Sequence, residues 1–291
     1  MRPRRATAGL LAALLLAIHW SPSILCPPTP LPPPLLPEWK APDPARLSLR
    51  SACAVVVDES AGRELFAKEP DRVTPIASLT KLMTAMVTLD ADLPLGEPVQ
   101  IEPEDVDTLR NSLSHLPVGW VLTRGDALLL ALMCSENRAA HALARTYPGG
   151  RLAFVEAMNR KAAALGMAAT RFADSSGLDG ADVSTARDVA RMASQAGRYA
   201  VIRQTTTTAD HALQPMWPVA IRLFGNSDPL VRNPSWTIGV SKTGYILDSG
   251  YCLVLQATLA GRPILIVLLN GPAEQTRVAD AERVRQWLAG G

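Results

Sequence analysis

The chain of 291 residues can bury a sizeable core as one large or two small domains, and 48% apolar with 19% charged residues suits a globular protein. The formal net charge is +2, of which Arg2, Arg4 and Arg5 supply three positive charges, so the remainder carries −1. That balance excludes the electrostatic footprint of a nucleic-acid binder, and none is expected as a partner.

The three arginines precede an apolar run at residues 6–18, too short for an ordinary membrane-spanning helix. A basic start followed by a short apolar run is the pattern of a secretory signal. No clear small-x-small cleavage site follows His19 and Trp20, so residues 1–26 read as a signal peptide or an uncleaved anchor. Leu25 occupies the place where a lipid-attachment signal at Cys26 needs a small residue. Residues 27–46, with Pro32-Pro33-Pro34, favour extended polyproline II and read as a linker to a domain spanning 47–291. Membrane contact is expected only through the N-terminal segment, and only if it is not cleaved.

Within that domain, residues 52–58 and 63–69 read as two strands joined at Asp58-Glu59-Ser60-Ala61-Gly62. A helix starts near Ser78 and ends between Asp90 and Pro94. Thr123-Arg124-Gly125-Asp126 is a capping box ahead of an apolar helix that stops against Ser135-Glu136-Asn137. Further helical patterns cover residues 138–145 and 154–165, the second ending at Gly166, and Thr185-Ala186-Arg187-Asp188 is a second capping box opening a helix to about Gln195. The last third changes period: residues 237–245, 250–260 and 263–269 read as strands, with a turn at Ala260-Gly261-Arg262, and residues 274–288 as a closing helix. Strands at both ends with helices between them predict one α+β unit whose first and last strands share an antiparallel sheet. Cys53, Cys134 and Cys252 lie in apolar stretches and read as buried free thiols; no Cys/His cluster has metal-ligand spacing, so no metal or other cofactor is expected.

Three short motifs carry chemistry. Ser78-Leu79-Thr80-Lys81 places a serine at a helix start, among unpaired backbone N–H groups, with a lysine one turn along on the same face. Taken singly, Ser-x-x-Lys is expected about once in a chain of this length and describes an ordinary N-cap serine and a surface lysine. Ser135-Glu136-Asn137 follows at a break between helices, 57 residues after Ser78, and Lys242-Thr243-Gly244 lies in a strand 107 residues further on. A polar inter-helix turn and an edge-strand lysine would explain either alone. A Lys-Thr-Gly is expected well under once per chain at average usage, so the three motifs together favour a functional site over three separate accidents.

Ser-x-x-Lys, Ser-x-Asn and Lys-Thr-Gly in this order resemble the signature of the penicillin-binding proteins and serine β-lactamases. Residues 75–86, 128–140, Tyr147-Pro148-Gly149-Gly150 and Ala279-Asp280-Ala281 look like the low-molecular-mass serine D-alanyl-D-alanine peptidases, and the resemblance covers roughly residues 50–289. It is closest to the endopeptidase branch, because Ser-Glu-Asn replaces the carboxypeptidases' common Ser-Gly-Asn and no extra C-terminal β-domain follows. The resemblance implies the penicillin-binding-protein/β-lactamase-like fold and a periplasmic enzyme that hydrolyses D-alanyl cross-links between peptidoglycan stem peptides, with β-lactams as covalent inhibitors. It implies Ser78 as nucleophile, Lys81 as its base, and Ser135 as proton carrier with its hydroxyl held by Lys242. Asn137 is expected to bond Lys81 and the substrate, Thr243 and Lys242 to bind a substrate carboxylate, and the backbone N–H groups of Ser78 and Tyr245, just after Gly244, to form the oxyanion hole.

The alternative within the family is a D-alanyl-D-alanine carboxypeptidase. A class A β-lactamase needs a carboxylate to activate the deacylating water, and no Glu-x-x-x-Asn lies between Ser135 and Lys242; Glu156 and Asn159 fit a helix face. A non-catalytic wall-binding module would be expected to lose Ser78, Lys81 or Lys242. One departure stands out: Asn226-Ser227-Asp228 replaces the family's frequent Asn-Thr-Asn ahead of the Lys242 strand.

Overall fold

The continuous apolar runs of the last third need cover on both faces, and the computed structural model, which describes residues 39–290, supplies it. The signal or anchor expected at 1–26 and residues 27–38 of the expected linker lie outside the described residues. In chain order the elements are β1 (Cys53–Asp58), β2 (Arg63–Lys68), β3 (Thr74–Pro75), α1 (Thr80–Asp90), β4 (Pro98–Gln100), β5 (Val121–Thr123), α2 (Arg124–Met133), α3 (Asn137–Arg145) and α4 (Gly150–Ala164). They continue as β6 (Val183–Ser184), α5 (Ala186–Ala196), α6 (Ala200–Thr206), β7 (Asp210–Leu213), β8 (Arg222–Gly225), β9 (Ile238–Ile246), β10 (Gly250–Leu259), β11 (Arg262–Gly271) and α7 (Glu274–Ala289).

The main sheet is antiparallel with order β2-β1-β11-β10-β9, so the first and last strands do share it, through Val55 opposite Val267. Leu265, Val267 and Leu269 of β11 pack into one apolar core with Val55, Val254 and the helical middle of the chain. The alternate residues Ile264, Ile266 and Leu268 are equally buried, on the face that α7 covers. Ala260 and Gly261 both have positive φ, the backbone of a tight two-residue hairpin, which fixes the β10–β11 register. Asp280 of α7 accepts the Arg50 and Ser51 N–H groups, tying the start of the domain to its last helix.

Three features place the site. First, β9 is the outer strand of the sheet, so one row of its backbone groups faces the cleft rather than another strand. Second, α1 is buried from Thr80 to Thr88 and serves as the post on which the helical half is built. Third, the two-residue ladder of β3 with β6 pulls residues 173–182 under the start of α1, where the Ile76 N–H donates to the Asp182 carbonyl.

Two local expectations differ. The turn containing Ser78 is a 3-10 turn at Ala77–Leu79, with the α-helix starting only at Thr80, and no side chain caps it. Thr185 caps α5 by accepting the Asp188 N–H, but the reciprocal half of the box is absent, because Asp188 turns to the Ala169 N–H and the Thr170 hydroxyl instead. The Thr123–Asp126 box is complete.

Candidate active site

Ser78 sits between two backbone segments in unusual conformations. Ala77 has φ +48° and Ser135 φ +64°, each a left-handed backbone costing a residue with a Cβ about 1–2 kcal/mol. Gly244 of β9 lies against the same turn: a Cβ there would be 3.1 Å from both the Ile76 carbonyl oxygen and the Ser78 nitrogen. Only glycine lets the strand come that close, and this is the approach that brings the outer edge of β9 to the Ser78 N–H.

Lys81 is fully buried, and its Nζ donates to Ser78 Oγ (2.8 Å), Asn137 Oδ1 (2.7 Å) and the Ser176 carbonyl (2.7 Å). Burial pushes its pKa down to about 8 against the opposing pull of Asp174, Glu136 and Asp182. Lys242 is 1% exposed; burial lowers its pKa well below the ordinary lysine value, and the Lys81 charge lowers it further. Two ammonium groups sharing one dry pocket favour the loss of a proton from the pair. Because all three Lys81 partners are neutral, a neutral amine can keep donating to Asn137 and Ser176 while its lone pair faces the Ser78 hydroxyl.

The sequence-predicted residues therefore divide as follows. Hydrogen bonds join Ser78, Lys81 and Asn137; packing brings Gly244 to Ser78; electrostatics couple Lys242 to Lys81. Thr243, on the next position of β9, shares a hydrogen bond of 2.7 Å with the Ser227 hydroxyl. Tyr245 is half exposed and stacks on Tyr251, with ring centroids 4.3 Å apart. Ser135 is half-buried beside Asn137, but the expected bond from Lys242 is not formed: the Lys242 ammonium donates to the Thr243 carbonyl at 2.9 Å. Asp228 is 1% exposed and accepts from the Ser241 hydroxyl (2.6 Å) and the Leu230 N–H (3.0 Å). Burial raises its carboxyl above the usual range, with Arg277 and Lys242 pulling the other way. Of the departure from the family pattern, Asp228 is thus buried against the Lys242 strand through Ser241, whereas Ser227 bonds the Thr243 hydroxyl. Asn159 is tied to Phe172 at both ends of its amide, and Glu156 stands in solvent, so this pair is part of the α4 framework.

Several residues of the site carry no motif. Ser112 accepts from Asn137 Nδ2 at 2.9 Å and so orients the amide that faces Lys81. Glu136, the middle residue of its triad, is buried and holds the neighbouring segment through the Ser114 hydroxyl (2.5 Å) and the His115 N–H (3.2 Å). Gly177 (φ +81°) packs under the nucleophile turn: a Cβ there would sit 1.9 Å from the Ala77 carbonyl oxygen. Arg277 of α7 is buried, its Nε has no partner among the described residues, and its charge reaches Lys242 and Asp228. Asn137 and Gly177 were flanked by legible signals, a motif and a Ser-Ser-Gly turn; Ser112 and Arg277 had none.

This assembly is a part-exposed serine on a buried lysine at a helix start, with a strand edge on one side and a serine–asparagine turn on the other. Comparisons with known proteins agree with it. The family profile described as "D-alanyl-D-alanine carboxypeptidase" matches residues 39–273. A D-alanyl-D-alanine endopeptidase of Pseudomonas aeruginosa is 44% identical over 255 residues, covering 88% of this chain and 82% of that protein. Among solved structures, the Streptomyces K15 DD-transpeptidase superposes with a TM-score of 0.78 at 27% identity, covering 84% of this chain and 98% of that one. Penicillin-binding protein D2 of Listeria monocytogenes, in its cefotaxime-bound form, gives a TM-score of 0.74 at 26% identity over 84% and 98%. The chain belongs to the serine D-alanyl-D-alanine peptidase family of low-molecular-mass penicillin-binding proteins and has that family's fold.

Proposed function

We propose that this peptidase is an exported, periplasmic endopeptidase that cleaves D-alanyl cross-links between peptidoglycan stem peptides. The observation that carries the chemistry is the buried Lys81 amine, 2.8 Å from Ser78 Oγ and held by neutral partners alone. Neutral Lys81 takes the Ser78 proton as Oγ bonds to the D-alanyl carbonyl carbon. The oxyanion is received by the N–H groups of Ser78 and Tyr245. The proton returns through Ser135 to the departing amine as the C–N bond breaks, and water then hydrolyses the ester to release the acyl group. Lys242, Thr243 and the buried Arg277 make the leaving-group end of β9 positive, which suits a carboxylate on the departing residue.

Endopeptidase over carboxypeptidase is supported by the name of the 44%-identical relative. The carboxylate-seeking end of β9 also suits a free D-alanyl-D-alanine terminus, so trimming of such ends is the second reading. The same machinery is expected to be acylated by penicillins at Ser78. Residues 1–26 are proposed to direct export or tether the domain, and 27–46 to space it from the membrane.

Digestion of purified sacculi, with separation of the fragments, tests this. Loss of cross-linked dimers is expected; release of terminal D-alanine with dimers intact would overturn the endopeptidase reading. Ser78→Ala is expected to abolish both digestion and labelling by fluorescent penicillin.

A further inference from the structure

Lys81 is aimed at Ser78 from two sides, and one helix reaches both. Asn137 Oδ1 and the Ser176 carbonyl each accept from Lys81 Nζ at 2.7 Å, which leaves the third direction of the nitrogen to Ser78 Oγ. Asn137 opens α3, and His141 lies one turn further along the same face. The half-buried His141 imidazole bridges the 3-10 turn Pro103–Asp105 and the loop that carries Ser176. Its Nδ1 is 3.0 Å from the Asp105 carbonyl oxygen and its Nε2 is 3.1 Å from Ser176 Oγ.

The partners fix which nitrogen holds the proton. A carbonyl oxygen can only accept, so Nδ1 carries the hydrogen and donates to Asp105. Burial pushes the His141 pKa below the ordinary value against the pull of the Asp105 carbonyl and Asp174, and the charges of Lys81 and Arg151 lower it further, so the ring is neutral at neutral pH. Nε2 is then a bare acceptor, and the Ser176 hydroxyl is the donor that faces it. Asp174 Oδ1 lies 3.2 Å from the same hydroxyl but already accepts the Ser176 and Gly177 N–H groups, each at 2.6 Å.

Other contacts shape this loop without fastening Ser176 to α3. Asp174 also accepts the Asp179 N–H and so closes the turn. Ser175 is held between the helices, its carbonyl accepting from the Thr84 hydroxyl (2.6 Å) and its own hydroxyl donating to the Ala140 carbonyl (3.0 Å). The His141 bond ties down the next residue, whose carbonyl reaches Lys81. The far end of the bridge is firm as well, because the buried Asp105 carboxylate accepts from Arg145 and Arg151.

We propose that His141 is a positioning residue for the base: its Nε2 holds Ser176 against α3, so that Asn137 and the Ser176 carbonyl form a rigid fork that directs the Lys81 lone pair at Ser78. This rests on the acyl-transfer reading of Ser78 and Lys81 given above. His141 acts through Ser176, so removing the Ser176 hydroxyl removes its effect.

Replacements that imitate one nitrogen at a time test this. His141→Gln keeps an acceptor near the place of Nε2, and His141→Asn keeps a donor near the place of Nδ1. The readouts are the saturating rate constant of acylation by a fluorescent penicillin and the concentration that gives half of it, with a urea melt on each variant. His141→Asn is expected to lower the rate constant about tenfold, as for the loss of one hydrogen bond, and to leave half-saturation within about twofold of wild type. His141→Gln is expected to stay within about threefold in both. Ser176→Ala is expected to lose about tenfold, and adding His141→Asn to it should cost nothing more. An Asn variant as fast as wild type, a Gln variant as slow as the Asn variant, or losses that multiply in the double variant would overturn the proposal. Nitrogen NMR of the imidazole reads the same bond without activity: Nδ1 is expected to be protonated and Nε2 bare, with the Nε2 signal moving on Ser176→Ala. A proton on Nε2, or a signal that does not move, would overturn it too. Absence of penicillin labelling in wild type would count against the acyl-transfer reading, and the NMR result would still decide whether His141 holds Ser176.

Discussion

Gly177 offers the sharpest test of how the loop beneath α1 positions the nucleophile. A Gly177→Ala methyl would meet the Ala77 carbonyl oxygen at 1.9 Å, its carbon at 2.3 Å and the Ser78 nitrogen at 2.9 Å. Ordinary contact begins near 3.4 Å, so one of the two backbones must move by about 1.5 Å. The obstacle is main chain on both sides, and no side-chain rotation relieves it. The left-handed backbone adds about 1–2 kcal/mol and the overpacking about 1–3 kcal/mol, so a loss of about 2–5 kcal/mol in stability is expected. The displaced atoms are those that aim the chemistry: Ser78 on one side, and on the other Ser176, whose carbonyl holds Lys81. A misplacement on the order of 1 Å costs about a hundredfold in rate. The assay is the second-order rate of acylation by a fluorescent penicillin, measured with a urea melt on the same protein. Gly166→Ala is the control, since Gly166 has φ +69° with nothing within 4 Å of its Cβ position; it should lose about 1 kcal/mol and keep the acylation rate. If Gly177→Ala acylates within about threefold of wild type, the loop does not position Ser78 and the reasoning fails.

Three further outcomes follow from the charges and contacts of the site. The base must be neutral to accept a proton and burial sets the Lys81 pKa at about 8, so the acylation rate should rise about tenfold per pH unit below that value and level off above it. A rate constant between pH 6 and 9 would contradict this. The negative charge of Glu136 raises the Lys81 pKa, so Glu136→Gln should move the rising limb to lower pH. Glu136→Ala also removes the acceptor of the Ser114 hydroxyl and the His115 N–H, costing about 1–3 kcal/mol. Faster hydrogen exchange at His115 together with a lower kcat is expected, and unchanged exchange would show that Glu136 does not hold the segment.

The five strands of the main sheet and most helices were legible because their signals are local. The apolar runs of β1, β10 and β11 and the Thr123–Asp126 box each lie within a few residues of sequence. The helix α6, the short strands β3 to β6 and the hairpin of β7 with β8 were not. Thr205 and Thr206 close α6 with β-branched side chains of poor helix propensity, and their hydroxyls return to the Val201 and Ile202 carbonyls. In β8, Arg222, Leu223 and Gly225 are all exposed and only Phe224 is buried, so no apolar alternation marks the strand.

The candidate site divides in the same way. Sequence by itself determined the Ser78–Lys81 pair, because three residues of helix place two side chains on one face whatever the rest of the chain does. The helix start expected near Ser78 falls in a 3-10 turn two residues ahead of α1, since a 3-10 turn and an α-helix share the same local pattern. Only the tertiary structure decided that Ser176 holds Lys81 through a carbonyl, a group every residue carries and no motif can mark. It alone brought Ser112 to Asn137 and Arg277 beneath Lys242, pairs separated by 25 and 35 positions. It also left Ser135 without the lysine bond expected of it, the Lys242 ammonium donating instead to the Thr243 carbonyl. Such contacts depend on where loops are carried by the packing of the sheet against α5, α6 and α7, and that packing is a property of the whole core rather than of any segment.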